Sequence, residues 1–212
     1  MARPRNENRI DIPGRAVQEA ARLFADRGVE SVSLKEIADA VGCRAPAFYR
    51  YFPEKDALLL AVHDEGFRRL YATKIETGAE VYPPPLERLR LGGLTFVRFA
   101  FEHPSLYELM FIERGPYRRL ETLRADAEEP PVDAALRSVA FLRESIVACQ
   151  QEGLLTGFDP DALAFTFWST VHGSISLALR RRSPFPAEDP AVIATRAVET
   201  MMSLIRTPAA NR

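Results

Sequence analysis

Residues 42–52, with the sequence GCRAPAFYRYF, concentrate side chains that are able to contact a nucleic acid. The hydroxyl of Tyr49 suits a phosphate oxygen, and the guanidinium groups of Arg44 and Arg50 match the two acceptors on a guanine edge. Lys55 follows at the start of another helical pattern, where the helix dipole also favours an anion. For each of these side chains the competing interpretation is an ordinary solvated surface group.

A very short helix that begins near Pro46 is predicted to position these groups. Proline suits the first helical position because its missing N–H has no partner there. Phe48 and Phe52 lie four residues apart on one face, which we expect to pack inward. The exposed side is then formed by Arg44, Ala45, Ala47, Tyr49 and Arg50.

Two helices are predicted ahead of this segment. Residues 13–27 carry an apolar stripe with helical period, and Gly28 suits its end. Ser33 and Glu36 form a capping box that begins a second helix, and Gly42 ends it. Two short helices joined by a glycine turn, the second beginning with proline and bearing polar groups outward, are typical of a helix-turn-helix.

The other periodic segments are also helical, so the sequence predicts an all-α fold. We expect a flexible arm at 1–11, a helix-turn-helix domain at 12–57 and a larger C-terminal domain at 58–212. A long fourth helix at 54–79 connects the two domains. The later helices are predicted at 85–102, 104–112, 116–127, 131–152, 160–182 and 188–206.

The composition excludes several classes of protein. The net charge is −1, and the two cysteines, Cys43 and Cys149, form no CxxC pair, which argues against a disulfide scaffold or a cysteine-rich zinc site. No apolar run approaches the length of a membrane span and no signal peptide is evident, so we expect a cytoplasmic protein without a membrane partner. We find no nucleophile–base pair, phosphate loop or metal-ligand spacing, and we expect no enzyme activity, cofactor or metal.

Aromatic residues in the C-terminal half predict either a ligand cavity or a plain core. Trp168 and His172 lie four residues apart and share a helical face with Phe165. An earlier cluster consists of Phe96, Phe99, Tyr107, Met110 and Phe111. A cavity between these helices would be mostly apolar, with His172 and Tyr107 as the polar groups that orient a ligand.

The last two predicted helices favour a homodimer. Their apolar positions exceed what a lone surface helix needs, and small residues permit close helix approach. The small residues are Ser169, Gly173 and Ser176, and the apolar ones include Leu177, Val198, Met201, Met202 and Ile205.

Residues 32–59, VSLKEIADAVGCRAPAFYRYFPEKDALL, closely resemble the DNA-binding segment of the tetracycline-repressor (TetR) family of bacterial transcription regulators. The matching positions include Ser33, Ile37, Ala38, Gly42, Phe48, Tyr49, Phe52, Lys55 and Leu58. Residues 12–28 are similar to the first helix of the family, and residues 103–111, HPSLYELMF, resemble a segment of many members. Trp168–Gly173 looks like the W-x-x-x-H-G element of one subclass of C-terminal domain.

The resemblance implies a ligand-responsive transcriptional regulator, most often a repressor, that leaves a near-palindromic DNA operator when a small apolar or aromatic molecule binds. The alternative is a dimeric DNA-binding protein whose C-terminal domain binds no ligand. The implied DNA-binding residues are Ser33, Lys35, Arg44, Ala45, Pro46, Ala47, Tyr49, Arg50 and Lys55.

This sequence departs from the family pattern at the start of the third helix. Arg44 stands where a small capping residue is usual, so it is free to point at DNA and to alter the sequence preference. Ala45 and Ala47 replace polar side chains. Recognition of the DNA sequence is therefore expected to depend more on thymine-methyl contacts and on DNA shape.

Overall fold

The computed structural model describes residues 11–77, 83–112, 134–182 and 189–206, and within these residues the fold is all-α, with no strand. The described helices, in chain order, are α1 Ile12–Arg27, α2 Leu34–Ala40, α3 Ala45–Phe48, α4 Lys55–Glu76, α5 Pro85–Glu102, α6 Pro104–Phe111, α7 Ala134–Gln151, α8 Pro160–Leu179 and α9 Pro190–Arg206. A single 3₁₀ turn, Val29–Ser31, lies between α1 and α2. The helix predicted at 116–127 falls outside the described residues.

Local signals explain where the helices begin and end. The Asp11 carboxylate accepts a hydrogen bond from the N–H of Gly14 at 3.0 Å and caps α1. Gly28 ends that helix with a φ of 79°, a backbone conformation that glycine adopts without strain. Asp159 caps α8 in the same way as Asp11, by accepting from the N–H of Ala162 at 2.8 Å. Proline occupies the first turn of α1, α3, α5, α6 and α8.

Helix α4 belongs to both halves of the described chain, because it packs against α1 as well as against α5 and α6. Gly66 of α4 lies against Met110 of α6, where an added Cβ would overlap the sulfur of Met110. Helix α1 also contacts α6 directly. One continuous hydrophobic core therefore runs from Phe24 and Phe48 through Leu58 to Phe99 and Tyr107.

Helix α5 lies inside the C-terminal bundle and packs against α7, α8 and α9. Gly93 lets α9 approach closely, since a Cβ at this position would lie 2.9 Å from a methyl group of Val198. A second hydrophobic cluster near the far end of the bundle joins Leu89, Ile146 and Met202.

Helix α8 is long and apolar enough to cross a membrane by length and composition alone, with a mean hydropathy of 1.3 over 18 residues. The sequence-based expectation that no such run exists is therefore corrected. Core helices pass the same test, and α8 buries Phe167, Val171 and Ile175 in the bundle.

Candidate functional site

The start of α2 is fixed by a reciprocal hydrogen-bonded cap, as the sequence predicts. The backbone N–H of Ser33 donates to Glu36 Oε2 at 2.8 Å, and the N–H of Glu36 donates to Ser33 Oγ at 3.2 Å. Arg27 donates to the same carboxylate at 3.0 Å, which ties α1 to α2. The Ser33 N–H, the Ser33 hydroxyl and Arg27 lower the pKa of Glu36 to about 2. Since the Ser33 hydroxyl itself donates to Glu36 at 2.9 Å, a phosphate would have to compete for that proton.

The turn between α2 and α3 sets the direction of the second helix. Gly42 has a φ of 70°, and the N–H of Cys43 returns to the carbonyl of Ala38 at 2.9 Å. Cys43 is buried beside this turn, as expected for a small hydrophobic side chain.

Helix α3 has one buried face and one exposed face. Phe48 and Phe52 are buried with ring centroids 5.6 Å apart, which anchors this short helix to the core. The exposed face carries Arg44, Pro46, Ala47, Tyr49 and Arg50, and Ala45 is half-buried at its edge. Tyr49 is 44 % exposed although it is a large aromatic side chain. Arg44 occupies the capping position without a side-chain cap hydrogen bond, in agreement with its poor capping chemistry.

The two lysines of the predicted surface differ in their environment. Lys35 is exposed on α2. Lys55 points back into the protein, where its ammonium group donates to the carbonyl oxygens of Val29 at 2.9 Å and Glu30 at 3.3 Å. Two of the three N–H groups of Lys55 therefore hold the 3₁₀ turn against the start of α4.

The C-terminal bundle contains a buried pair of polar side chains. Tyr107 Oη and His172 Nδ1 lie 2.6 Å apart, and the two rings are stacked with centroids 5.5 Å apart. Trp168, Phe96 and Phe111 surround the imidazole with centroid distances of 4.5, 5.1 and 5.0 Å. Burial lowers the pKa of His172 to about 4 and raises that of Tyr107 well above its usual 10, so both side chains are neutral at pH 7.

A small cavity of about 50 Å³ adjoins this pair between α5, α7, α8 and α9. Three of the eight sequence-predicted ligand residues line it, namely Phe96, Trp168 and His172. Sequence analysis missed Arg88 and Phe141, which also line the cavity. The pattern of aromatic residues could not reveal them. Arginine is usually found at the surface, and no sequence motif marks the helix that contains Phe141.

The other predicted ligand residues lie elsewhere. Phe99, Tyr107 and Met110 are buried in the main core. Phe111 is half-buried against Phe67 and the His172 ring. Phe165 is 67 % exposed near the start of α8 and does not line the cavity.

Family comparisons match both halves of the chain. Residues 16–62 match the family described as bacterial regulatory proteins, tetR family. Residues 89–201 match the family described as tetracyclin repressor-like, C-terminal domain. The chain therefore belongs to the TetR family.

Individual relatives and solved structures are consistent with this assignment. An uncharacterized HTH-type transcriptional regulator of Mycobacterium tuberculosis is 34 % identical over 102 residues, which are 48 % of this chain and 50 % of the relative. The chain thus spans about half the length of that curated relative. The ketosteroid transcriptional regulator KstR2 of Mycobacterium tuberculosis has a TM-score of 0.71 at 18 % identity, over 96 % of this chain and 100 % of that one. AibR in complex with isovaleryl coenzyme A and operator DNA has a TM-score of 0.66 at 23 % identity, over 92 % of this chain and 98 % of that one.

Proposed function

We propose that this protein is a dimeric, ligand-responsive repressor that binds a near-palindromic operator through α2 and α3. The observation that carries the proposal is the exposed face of α3, which presents Arg44, Tyr49 and Arg50 on a helix anchored by Phe48. Large aromatic and arginine side chains held outward by a buried anchor suit contact with a DNA groove. AibR, which has a similar fold, was solved with operator DNA.

Each exposed residue has a proposed role. The Tyr49 hydroxyl and Lys35 contact phosphates, and Arg44 and Arg50 donate to base edges. The small side chains of α3 allow the helix to approach the DNA closely, and these residues are Ala45, Pro46 and Ala47. Thymine methyl groups would be their apolar contacts. Ser33 acts mainly as the cap of α2. We place the boundary of the DNA-binding domain at residue 57, with α4 connecting it to the C-terminal domain.

We propose that α8 and α9 form the dimer interface. An apolar groove of about 550 Å³ between them is lined by Phe167, Ile193 and Met201. Phe165 and Leu204 are 67 and 72 % exposed on these two helices. A second copy of the same helix pair would cover this surface as a four-helix bundle. The two α3 helices would then meet successive major grooves about 34–36 Å apart.

We propose that the effector binds in the cavity beside His172, within the Trp168–Gly173 element that resembles the W-x-x-x-H-G subclass. The walls contributed by Phe96, Phe141 and Trp168 favour a small apolar or aromatic group. KstR2 is named as a ketosteroid regulator, and AibR was solved with isovaleryl coenzyme A. Binding would act on α4 through α5, which lines the cavity and packs against α4, and would change the spacing of the α3 helices. It would do so only if the effector prefers one of the two shapes.

The second candidate is a dimeric DNA-binding protein without an effector. The small volume of the cavity and the Tyr107–His172 hydrogen bond favour it, because both also suit a filled core. Melting temperatures measured against a metabolite library separate the two functions. A molecule that stabilises the protein and releases it from DNA supports the sensor, and a library without any such molecule supports the second candidate.

The DNA-binding proposal is tested on sequences that the wild-type protein selects from a random DNA pool. A Tyr49→Phe, Arg50→Ala double variant should lose at least about tenfold in affinity for these sequences. Arg182→Ala is the matched control, since it removes one exposed positive charge beyond the end of α8. Wild-type affinity for the double variant would refute the assignment of α3.

A further inference from the structure

His172 Nε2 is a buried polar atom without a hydrogen-bond partner in the described part of the chain. The side chain is 7 % exposed. Buried polar atoms in native proteins nearly always have a partner, because an unmade hydrogen bond there costs free energy. Nε2 is therefore a position at which a bound molecule would gain a hydrogen bond.

The contact with Tyr107 determines which hydrogen-bonding role Nε2 has. The Tyr107 hydroxyl carries a proton and lies 2.6 Å from Nδ1. The described part of the chain offers this proton no other acceptor, so we assign the hydroxyl as the donor to Nδ1, which leaves the single proton of the neutral imidazole on Nε2. Nε2 is then a donor, and its missing partner is an acceptor.

The imidazole of His172 borders the cavity, and its Nδ1 edge is occupied by Tyr107. Tyr107 itself does not line the cavity. Arg88 lines the same cavity and is the positively charged residue among those that line it. The remaining walls include the rings of Phe96, Phe141 and Trp168. A volume of about 50 Å³ holds a few atoms the size of a water molecule.

We propose that the cavity binds a small carboxylate, with a carboxylate oxygen accepting a hydrogen bond from His172 Nε2 and a short apolar chain between the rings of Phe96, Phe141 and Trp168. The positive charge of Arg88 favours the anion over a neutral acceptor. This inference rests on the proposed function, because it names the chemical class of the effector for the same cavity.

Calorimetric titration of the full chain with butyrate, butyramide and n-butylammonium tests the proposal. These probes share a short chain but differ in the polar end: an anionic acceptor, a neutral acceptor and a cationic donor. Butyrate should bind most tightly, butyramide more weakly, and n-butylammonium not at all. His172→Phe retains the ring and removes the donor, and it should weaken butyrate binding about tenfold or more.

A second variant keeps the test decisive if His172→Phe fails to fold. His172→Gln supplies an amide N–H and should bind butyrate more tightly than His172→Phe does. If His172→Phe does not fold, His172→Gln should still bind butyrate more tightly than n-butylammonium. Nitrogen NMR should also place the wild-type imidazole proton on Nε2, and Tyr107→Phe should remove that preference.

Three results would overturn the carboxylate assignment: no binding of butyrate, equal binding of butyrate and n-butylammonium, or unchanged butyrate affinity after loss of the donor. None of them bears on regulation itself, which is measured separately as binding to selected DNA and release by a metabolite.

Discussion

Lys55 Nζ lies 2.9 Å from the carbonyl oxygen of Val29, a residue 26 positions earlier in the chain. This contact joins the start of α4 to the turn that precedes α2, so it holds the helix-turn-helix against the connecting helix. We expect this structural role to replace the phosphate contact that the position of Lys55 predicts.

Replacement of Lys55 by Met should reduce the stability of the protein by about 1.5–3 kcal/mol, because hydrogen bonds from a charged group are lost. The slope of log affinity against log salt should change by much less than the roughly one unit expected for a phosphate contact. Urea unfolding and DNA titrations at several salt concentrations measure the two effects. If Lys55→Met leaves the stability unchanged but changes the slope of log affinity against log salt by a full unit, Lys55 contacts a DNA phosphate instead.

Replacement of Leu204 by Glu should convert a dimer into a monomer. A charge on this 72 % exposed apolar position would be buried without a partner when two copies meet. Ile75→Glu is the matched control, since Ile75 is 54 % exposed on α4, away from the α8–α9 surface. Sedimentation at micromolar concentration should give a dimer for the wild type and the control. A wild-type monomer would refute the interface.

The stability of the protein should depend on pH through His172. Its pKa is about 4 in the folded protein and 6.5 for a histidine surrounded by water, so the unfolded chain binds more protons between these values. Stability should therefore be complete above pH 6.5 and fall by about 3 kcal/mol as the pH drops towards 4. Urea unfolding between pH 4.5 and 7 should show a flatter profile for His172→Phe than for the wild type. Parallel profiles would contradict a buried neutral histidine.

Trp168→Ala and Phe99→Ala should separate a cavity wall from the core. Phe99 is fully buried, and its truncation should cost about 3–5 kcal/mol. Trp168 is 37 % exposed and lines the cavity, so its loss should cost less than about 3 kcal/mol and change the response to a ligand. Chemical denaturation of both variants measures the costs. Equal losses would indicate that Trp168 is ordinary core.

The local elements were predictable because their signals lie close together in sequence. The Ser33–Glu36 cap, the glycine at 42 and the proline at 46 each act over a few residues, and α2 and α3 begin beside them. Helix α4 begins at Lys55 where 54 was predicted, because Glu54 has an extended backbone. Helix α8 ends at Leu179 where 182 was predicted, and the predicted start of α7 at 131 lies outside the described residues.

Contacts between distant residues were beyond prediction. Helical period predicts that Phe165 and His172 share one side of α8, but it does not show which parts of that side other helices cover. His172 is covered by α5 and α6, whereas Phe165 remains exposed near the start of the helix. The Lys55–Val29 contact was missed for a similar reason, since the dipole of α4 predicts an anion and not two backbone carbonyls.

Helix α4 rests on Met110 at Gly66, and this position divides it into two nearly equal arms. At 1.5 Å per residue, about 16 Å separate Gly66 from Lys55, and about 15 Å separate it from Glu76. A pivot at this contact would move the two ends of α4 in opposite directions. A sideways displacement of the Glu76 end would then move the Lys55 end by nearly the same distance in the opposite direction. The helix would then reverse the direction of a displacement and leave its size nearly unchanged, because the two arms have nearly the same length.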